Sequence, residues 1–335
     1  MSARSELVLI TGATGAIGPR VVAALSQAGY RIRTFSVDAQ TAGIFPENVE
    51  VLIGDVTDGA AVQVAMQGVD AIVHMAALLH IEYPPLDLRE KYEHINVGGT
   101  ATVVEAAISK GVKRIVFFST IAVYGPSDGR VFNEMSPTRP DTFYAQTKLS
   151  AENIVLNAKN ADGIPVGVVL RLGAVYGSRI KGNYEQLIRA LARNRFIPVG
   201  DGRNRRTLVY DKDVGRAAVL AVSHPAAAGR VFNVTDGEFR TLNEIIESIC
   251  SALGRNPPCL SVPLGPTRAL IRFIESGGRA IGLKLPVTRG MLDKYAEDIA
   301  VDAGLIQKEF GFMPQYNLRT GWEETIKEMR ARGEL

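Results

Sequence analysis

Tyr144 and Lys148 stand four residues apart in the stretch TFYAQTKLSAE, Thr142 to Glu152. Their types and spacing pose a chemical question before any fold is known. A phenol titrates near ~10 and is a poor base at neutral pH. On a helix, residues four apart share a face. An ammonium one turn away favours the phenolate and would draw the tyrosine toward working pH. Placed in a site, the pair is a general acid–base. Left on a helix surface, it does no chemistry.

The elements around the pair decide between these readings. LVLI, Leu7 to Ile10, reads as a buried strand, and the loop TGATGAIG follows it directly. Gly12, Gly15 and Gly18 give the spacing GxxGxxG, with Thr14, Ala16 and Ile17 filling the loop. Such a loop lets the backbone turn sharply and approach a pyrophosphate, which the following helix N-terminus welcomes. Ile17, Val21, Val22 and Leu25 keep helical spacing, and Gly29 is a natural stop. RIRTFSV, VEVLIGD, DAIVHMA, RIVFFS and VGVVLRLG follow as further strands, with helices such as Asn96 to Ser109 and Tyr144 to Ala158 between most of them. This alternation predicts an α/β fold, a Rossmann-type doubly wound parallel sheet.

After about Gly177 helical stretches dominate: Tyr184–Asn194, Lys212–Val222 and Thr241–Leu253, the last opened by a capping-box spacing at Thr241 and Glu244. The expected organisation is a dinucleotide-binding domain over residues 1–177. A smaller, partly helical C-terminal substrate lobe follows over 178–335, from which some strands and helices are free to return to the first domain.

At the end of the second strand, where an acid commonly bonds the adenine ribose, this chain has Ser36, with Asp38 two residues on. No Arg or Lys stands just after Ser36 to hold a ribose phosphate, although Arg33 is near in sequence. NAD is therefore the expected cofactor, with NADP as the alternative. Asp55 and Val56, in GDVTD after the third strand, are placed to meet the adenine.

Bulk properties narrow the classes. The 335 residues are 46% apolar and 22% charged, and the net charge of +3 is scattered, so no basic stripe for nucleic acid exists. Cys250 and Cys259 show no metal-ligand spacing, and so few cysteines fit a reducing, cytoplasmic compartment. The first residues lack a signal-peptide layout. No apolar run is long enough to span a bilayer. Leu264 to Leu285, broken by Arg268, Arg272, Glu275, Arg279 and Lys284, reads as an amphipathic helix lying on its own protein, membrane-surface contact being the alternative.

TGATGAIG, GDVTD, HMAA, NVGGT, FFSTIAVYG, YAQTK and RLGAVYG occur in one order over about 180 residues. Together they resemble the extended short-chain dehydrogenase/reductases, in the branch of nucleotide-sugar epimerases and dehydratases. GNYEQLIRAL, PVGDGRNRRTLVYDKDV, FNVTDGEFRTLNEI and DAGLIQKEFGFMPQYNLRTGWEETI resemble that branch's substrate lobe. The resemblance implies Thr120, Tyr144 and Lys148 as catalytic residues. Thr120 would relay a proton or hold the substrate oxygen, and Lys148 would also bond the nicotinamide ribose. It implies small residues at Ala76 and Ala77 close to the cofactor, with His74 structural, and Gly173 to Val175 as a floor beside the nicotinamide. Asn183 and Arg206 would meet a nucleotide-sugar diphosphate, and Arg289 would close the site. It suggests a UDP-sugar as substrate and a homodimer through two helices, one carrying Tyr144.

Ala174 departs from the pattern, since many sugar-nucleotide epimerases carry Asn there. The expected activity is a UDP-hexose type 4-epimerase with transient oxidation at C4. The alternatives are an NAD(P)-dependent dehydrogenase or 4-keto reductase on the same site, and a nucleotide-sensing regulator without chemistry. Ile121 and Ala122 after Thr120 lack the acid that a 4,6-dehydratase would need there.

Overall fold

The computed structural model describes residues 5–38, 43–79, 86–271 and 289–335. The apolar runs of the first half become β1 (Leu7–Thr11), β2 (Arg31–Ser36), β3 (Glu50–Ile53), β4 (Ala71–His74), β5 (Arg114–Thr120) and β6 (Gly167–Leu172), and β7 (Arg230–Val234) joins them from the second half. These seven strands form one parallel sheet in the order β3-β2-β1-β4-β5-β6-β7. Every residue of β1 and β6 is buried, as a sheet covered on both faces requires. The strand order reverses between β1 and β4, and at such a point the loops beyond the carboxyl ends part to leave a crevice.

Helix Gly18–Gln27 buries Val21, Val22 and Leu25 and ends just before Gly29, whose φ is +90°. The stretch expected as one helix from Asn96 divides in two. Glu93–Gly98 is a π-helical turn, and Gly99–Ser109 continues as α-helix. Single π turns of this kind are frequent at functional sites.

Two elements of the second half return to the sheet. RVFNV becomes its edge strand β7, and helix Asp211–Ser223 packs across Gly18–Gln27. The crossing is close because Gly215 has no side chain. A Cβ there would lie 2.9 Å from the Arg20 carbonyl oxygen. Arg20 also pairs with Asp211 at 3.1 Å and with Glu328 of the C-terminal helix Leu318–Ala331. The rest of the second half builds its own core. Trp322 stacks on Tyr176 with centroids 4.2 Å apart, among helices Asn183–Ala192 and Leu242–Leu253. The capping box of Thr241 and Glu244 forms as its spacing predicts. No helix among the described residues is long and apolar enough to cross a membrane. Of Leu264 to Leu285, residues 264–271 are helical and the remainder lies outside the described residues.

The glycine loop is the tightest place in the sheet's upper edge. A Cβ on Gly18 would lie 1.9 Å from the Ala13 oxygen, while one on Gly59 would meet nothing nearer than a methyl at 3.9 Å. Gly18→Ala is therefore expected to cost about 1–3 kcal/mol of stability, against no more than about 0.5 kcal/mol for Gly59→Ala. Equal thermal midpoints for the two variants would show that the loop yields without strain.

Candidate active site

The carboxyl ends of β1, β4 and β5 bring the expected residues to one edge. Gly12 takes φ +69°, and a Cβ there would lie 2.7 Å from the backbone of Ala76. The two loops flanking the strand-order reversal thus touch backbone to backbone. Gly15 is exposed, and helix Gly18–Gln27 begins at Ile17 with no side chain capping its N–H groups. Open donors at a positive helix end, beside a loop no side chain can fill, suit a pyrophosphate.

Thr14 donates its N–H to the Ser36 hydroxyl at 3.4 Å and its own hydroxyl to the Asp38 carboxylate at 3.2 Å. Asp38 therefore reaches the glycine loop, which the expectation centred on Ser36 did not assign to it. Arg33 is committed elsewhere, to the carbonyls of Ala65 and Gln67 and to Glu50 at 2.9 Å. This corner presents a carboxylate where a ribose phosphate would need a cation, which fits NAD better than NADP. Asp55 is exposed and accepts from Thr57 at 2.9 Å, closing its own turn, while Val56 is buried against Gly99.

His74 ends β4 fully buried, and its role is structural, as expected. The Thr100 hydroxyl donates to the Asn96 carbonyl at 2.6 Å, so the imidazole Nε2–H must donate to Thr100, 3.0 Å away. Nδ1 then accepts from the Thr11 hydroxyl at 2.6 Å, and Thr11 in turn accepts the N–H groups of Met75 and Ala76 at 3.3 Å each. Every hydrogen-bonding position is filled only with a neutral ring. Burial, helped by the charge of Lys148, pushes the His74 pKa down to about 3. Asn96 clamps the same loop, accepting from the Leu78 N–H at 2.7 Å and donating to the Thr147 hydroxyl at 3.1 Å.

Thr147 lies between Tyr144 and Lys148 on helix Phe143–Leu156, which Thr142 caps through the Ala145 N–H. Tyr144 is half-buried, with the Tyr92 ring edge-on at 6.4 Å. Lys148 is buried, its Nζ 4.0 Å from the centroid of Phe117 on β5. The electrostatics depart from the expectation. Burial, with a smaller contribution from Tyr92, pushes the Tyr144 pKa up to about 12. Lys148 is not among the causes. Lys148 itself is pushed down to about 7 by burial, against the pull of Glu152. Burial has the largest effect on both groups, because removing water from around them disfavours the charged form of each. Thr120 accepts the Ala122 N–H at 3.2 Å, which leaves its own O–H to donate.

Sequence reading did not single out the residues that hold this helix. Glu152 continues the face of Tyr144 and Lys148 by one more turn. It accepts the Ser119 hydroxyl and a forked pair from Arg171, with Nε 3.0 Å and Nη2 2.7 Å away. Both partners of the ion pair are buried. Ser119 is the neighbour of Thr120, and Arg171 lies on β6, so one carboxylate fixes the helix against two strands. The four-residue step from Lys148 to an acid, on a face already buried, was the available signal.

Gly173 has a packing reason of its own. A Cβ there would lie 3.1 Å from the Thr207 oxygen, where the strand Leu208–Tyr210 pairs with Ala174–Tyr176. Val175 is half-buried against the sheet core. On the lobe side, Arg206 donates to the Tyr295 carbonyl at 2.9 Å. Asn183 is exposed at the start of helix Asn183–Ala192, whose N-terminus no side chain caps. Arg205 forks onto Asp298, with the closest approach 2.6 Å, rather than lying free on the surface. Arg289 opens a helix ending at Ala296, and its side chain lies outside the described residues. The helix face expected to pair two copies is polar, with Gln146, Ser150 and Asn153 exposed.

A family model, described as the NAD dependent epimerase/dehydratase family, matches residues 8–235. The chain is 28% identical to an N-acetyl-alpha-D-glucosaminyl-diphospho-ditrans,octacis-undecaprenol 4-epimerase of Escherichia coli O157:H7, covering 96% of this chain and 95% of that protein. It is 26% identical to a UDP-glucose 4-epimerase of Vibrio cholerae, covering 96% and 94%. Among solved structures, MoeE5 in complex with UDP-glucose and NAD superposes with a TM-score of 0.76 at 26% identity, covering 97% of this chain and 99% of the other.

Two predictions follow from burial. His74 is neutral when folded and titrates near ~6.5 when unfolded. The unfolded chain thus binds the extra proton, and this stabilisation is lost as pH falls from about 6.5 toward 3. The stability difference between wild type and His74→Asn should shrink over that window, and a pH-independent difference would contradict the neutral hub. Removing one partner of the Arg171–Glu152 pair, as in Arg171→Met, should cost about 3–5 kcal/mol, and adding Glu152→Leu should recover much of it. Additive losses in denaturant unfolding would show that the pair is not coupled.

Proposed function

The chain belongs to the NAD dependent epimerase/dehydratase family, and from that premise we propose that it is a nucleotide-sugar 4-epimerase of the UDP-hexose type. The observation that carries this reading is the convergence of Thr120, Tyr144 and Lys148 on the rim that also holds the glycine loop. The resemblance of the chain to two 4-epimerases along nearly its whole length supports the same choice.

Bound NAD would supply the hydride acceptor for C4 and, in the return half, the hydride donor. The chain's own residues move the proton. Thr120 donates its O–H to the C4 oxygen, and Tyr144, which must be the phenolate in this half, takes the proton from that oxygen as the carbonyl forms. Tyr144, protonated by that transfer, is then the acid that returns the proton to the 4-keto sugar. Lys148 presents its ammonium from the same helix face and steadies the phenolate while it lasts. Its own pKa near 7 makes that charge sensitive to pH in the working range.

Between the two halves the sugar must turn its other face to C4 chemistry while its anchor stays fixed. Arg206 and Asn183 are the proposed contacts to the diphosphate. A cavity of about 510 Å³ lies one step from Arg206, because Asn204 on its wall donates to the same Tyr295 carbonyl. Asp201, Asn204 and Ser261 line it together with Val199, Pro263 and Leu264, a mixed wall that suits a nucleoside's base and ribose.

Ala174 favours the alternative, a one-way dehydrogenase or 4-keto reductase, because it leaves no amide at that position. The two readings separate on the purified protein, denatured without added cofactor. An epimerase that regenerates its cofactor each turn should release NAD stoichiometrically, identified by mass, whereas an empty site or NADP would favour the reductase. Tyr144→Phe should lower kcat for UDP-hexose interconversion by at least about 100-fold while retaining bound NAD. Undiminished turnover in that variant would remove Tyr144 from the chemistry.

A further inference from the structure

The two-residue strands Arg205–Arg206 and Arg240–Thr241 form an antiparallel ribbon in which Arg240 lies directly opposite Arg206. Residues so opposed point to the same side, with Cβ atoms about 4.5–5.5 Å apart, and like charges in that relation repel. Arg205, one residue away, points to the other side and is neutralised by Asp298. The ribbon lies beyond the carboxyl end of the sheet. Ala174 and Asp236, just past the ends of β6 and β7, donate their N–H groups to Thr207 and Leu208 of the segment that leaves it. It therefore occupies the same side of the sheet as Thr120 and Tyr144.

Arg240 is incompletely satisfied where it stands. It pairs with Glu238, whose side chain is 57% exposed, and its buried Nε–H has no hydrogen-bond partner among the described residues. Such an orphan donor in a native structure calls for a cause, and a missing anion is one. Resting on the nucleotide-sugar reading above, we propose that Arg240 and Arg206 together clamp the diphosphate of the substrate, Arg240 leaving Glu238 to do so. Two guanidinium forks side by side offer parallel donors to adjacent phosphates.

The diphosphate could be carried by a nucleoside or by a polyprenol, and the test separates the two. Binding of UDP, uridine and farnesyl diphosphate to the purified holoenzyme is measured by calorimetry for wild type, Arg206→Ala, Arg240→Ala and Arg240→Lys. The clamp predicts that Arg240→Ala weakens the diphosphate that wild type binds by about 10- to 100-fold and leaves uridine unchanged. Arg240→Lys should recover part of the loss, and thermal unfolding confirms that the variants are folded. Wild-type affinity for UDP over farnesyl diphosphate identifies the nucleoside as carrier, and the reverse identifies the polyprenol; either supports the clamp if Arg240→Ala loses it. Wild-type affinity in Arg240→Ala, with loss in Arg206→Ala, would overturn the clamp and leave the epimerase reading standing. Failure of wild type to bind either diphosphate would overturn both.

Discussion

One buried ion pair holds the reactive groups in register. Glu152 and Arg171 meet out of reach of water, and the Ser119 hydroxyl completes the carboxylate's shell. Burying two charges costs several kcal/mol, which good geometry and extra hydrogen bonds must offset. What the arrangement secures is position. Glu152 is on the helix of Tyr144 and Lys148, Ser119 adjoins Thr120, and Arg171 belongs to the next strand. The guanidinium also lies over the Tyr124 ring at 4.8 Å, and the Tyr124 hydroxyl donates to Asn233 on β7. Three strands and one helix are thereby locked around a single carboxylate, and the Thr120 and Tyr144 hydroxyls inherit their placement from it.

Beside this cluster lies a second, uncharged one. Thr11, His74, Thr100, Asn96 and Thr147 hand hydrogen bonds from β1 through β4 to helix Phe143–Leu156. With a neutral imidazole no donor or acceptor in the chain is wasted, which is why burial can depress the ring so far without loss of structure. The two clusters share a purpose by different means. The ion pair sets where the helix lies, and the neutral chain sets how the loops after β1 and β4 approach it. Both exclude water from the neighbourhood of Lys148 and Tyr144, and that exclusion accounts for the direction in which each is shifted. In this geometry the lysine does not bring the tyrosine down; a positive charge arriving in the site would have to add to its effect.

The second half of the chain is less a separate body than an extension of the sheet's upper edge. β7 and helix Asp211–Ser223 return to the first domain, so the ribbon carrying Arg206 and Arg240 is tied to it by short chain segments and backbone hydrogen bonds. Beside that ribbon lies a cavity walled by Asp201, Asn204 and Ser261 together with Val199, Pro263 and Leu264.

Local sequence determined a good deal here, because the signals involved are local. Apolar runs of four to seven residues, a glycine loop between strand and helix, the capping box at Thr241 and the step from Tyr144 to Lys148 depend on neighbours within a few residues, and all appear where their spacing puts them. Which strand of the second half would return to the main sheet was not legible, since a short buried strand pairs with whatever edge the fold presents. Nor were the pairing of Glu152 with Arg171, the reach of Asp38 to Thr14 and the opposition of Arg240 to Arg206. Each joins residues distant in sequence, and no periodicity records them. Electrostatics belonged wholly to the tertiary structure. The sequence brought a lysine within one turn of a tyrosine and implied that attraction would govern both, but the shift of a charge depends on how much water remains around it, and only the packed fold decides that.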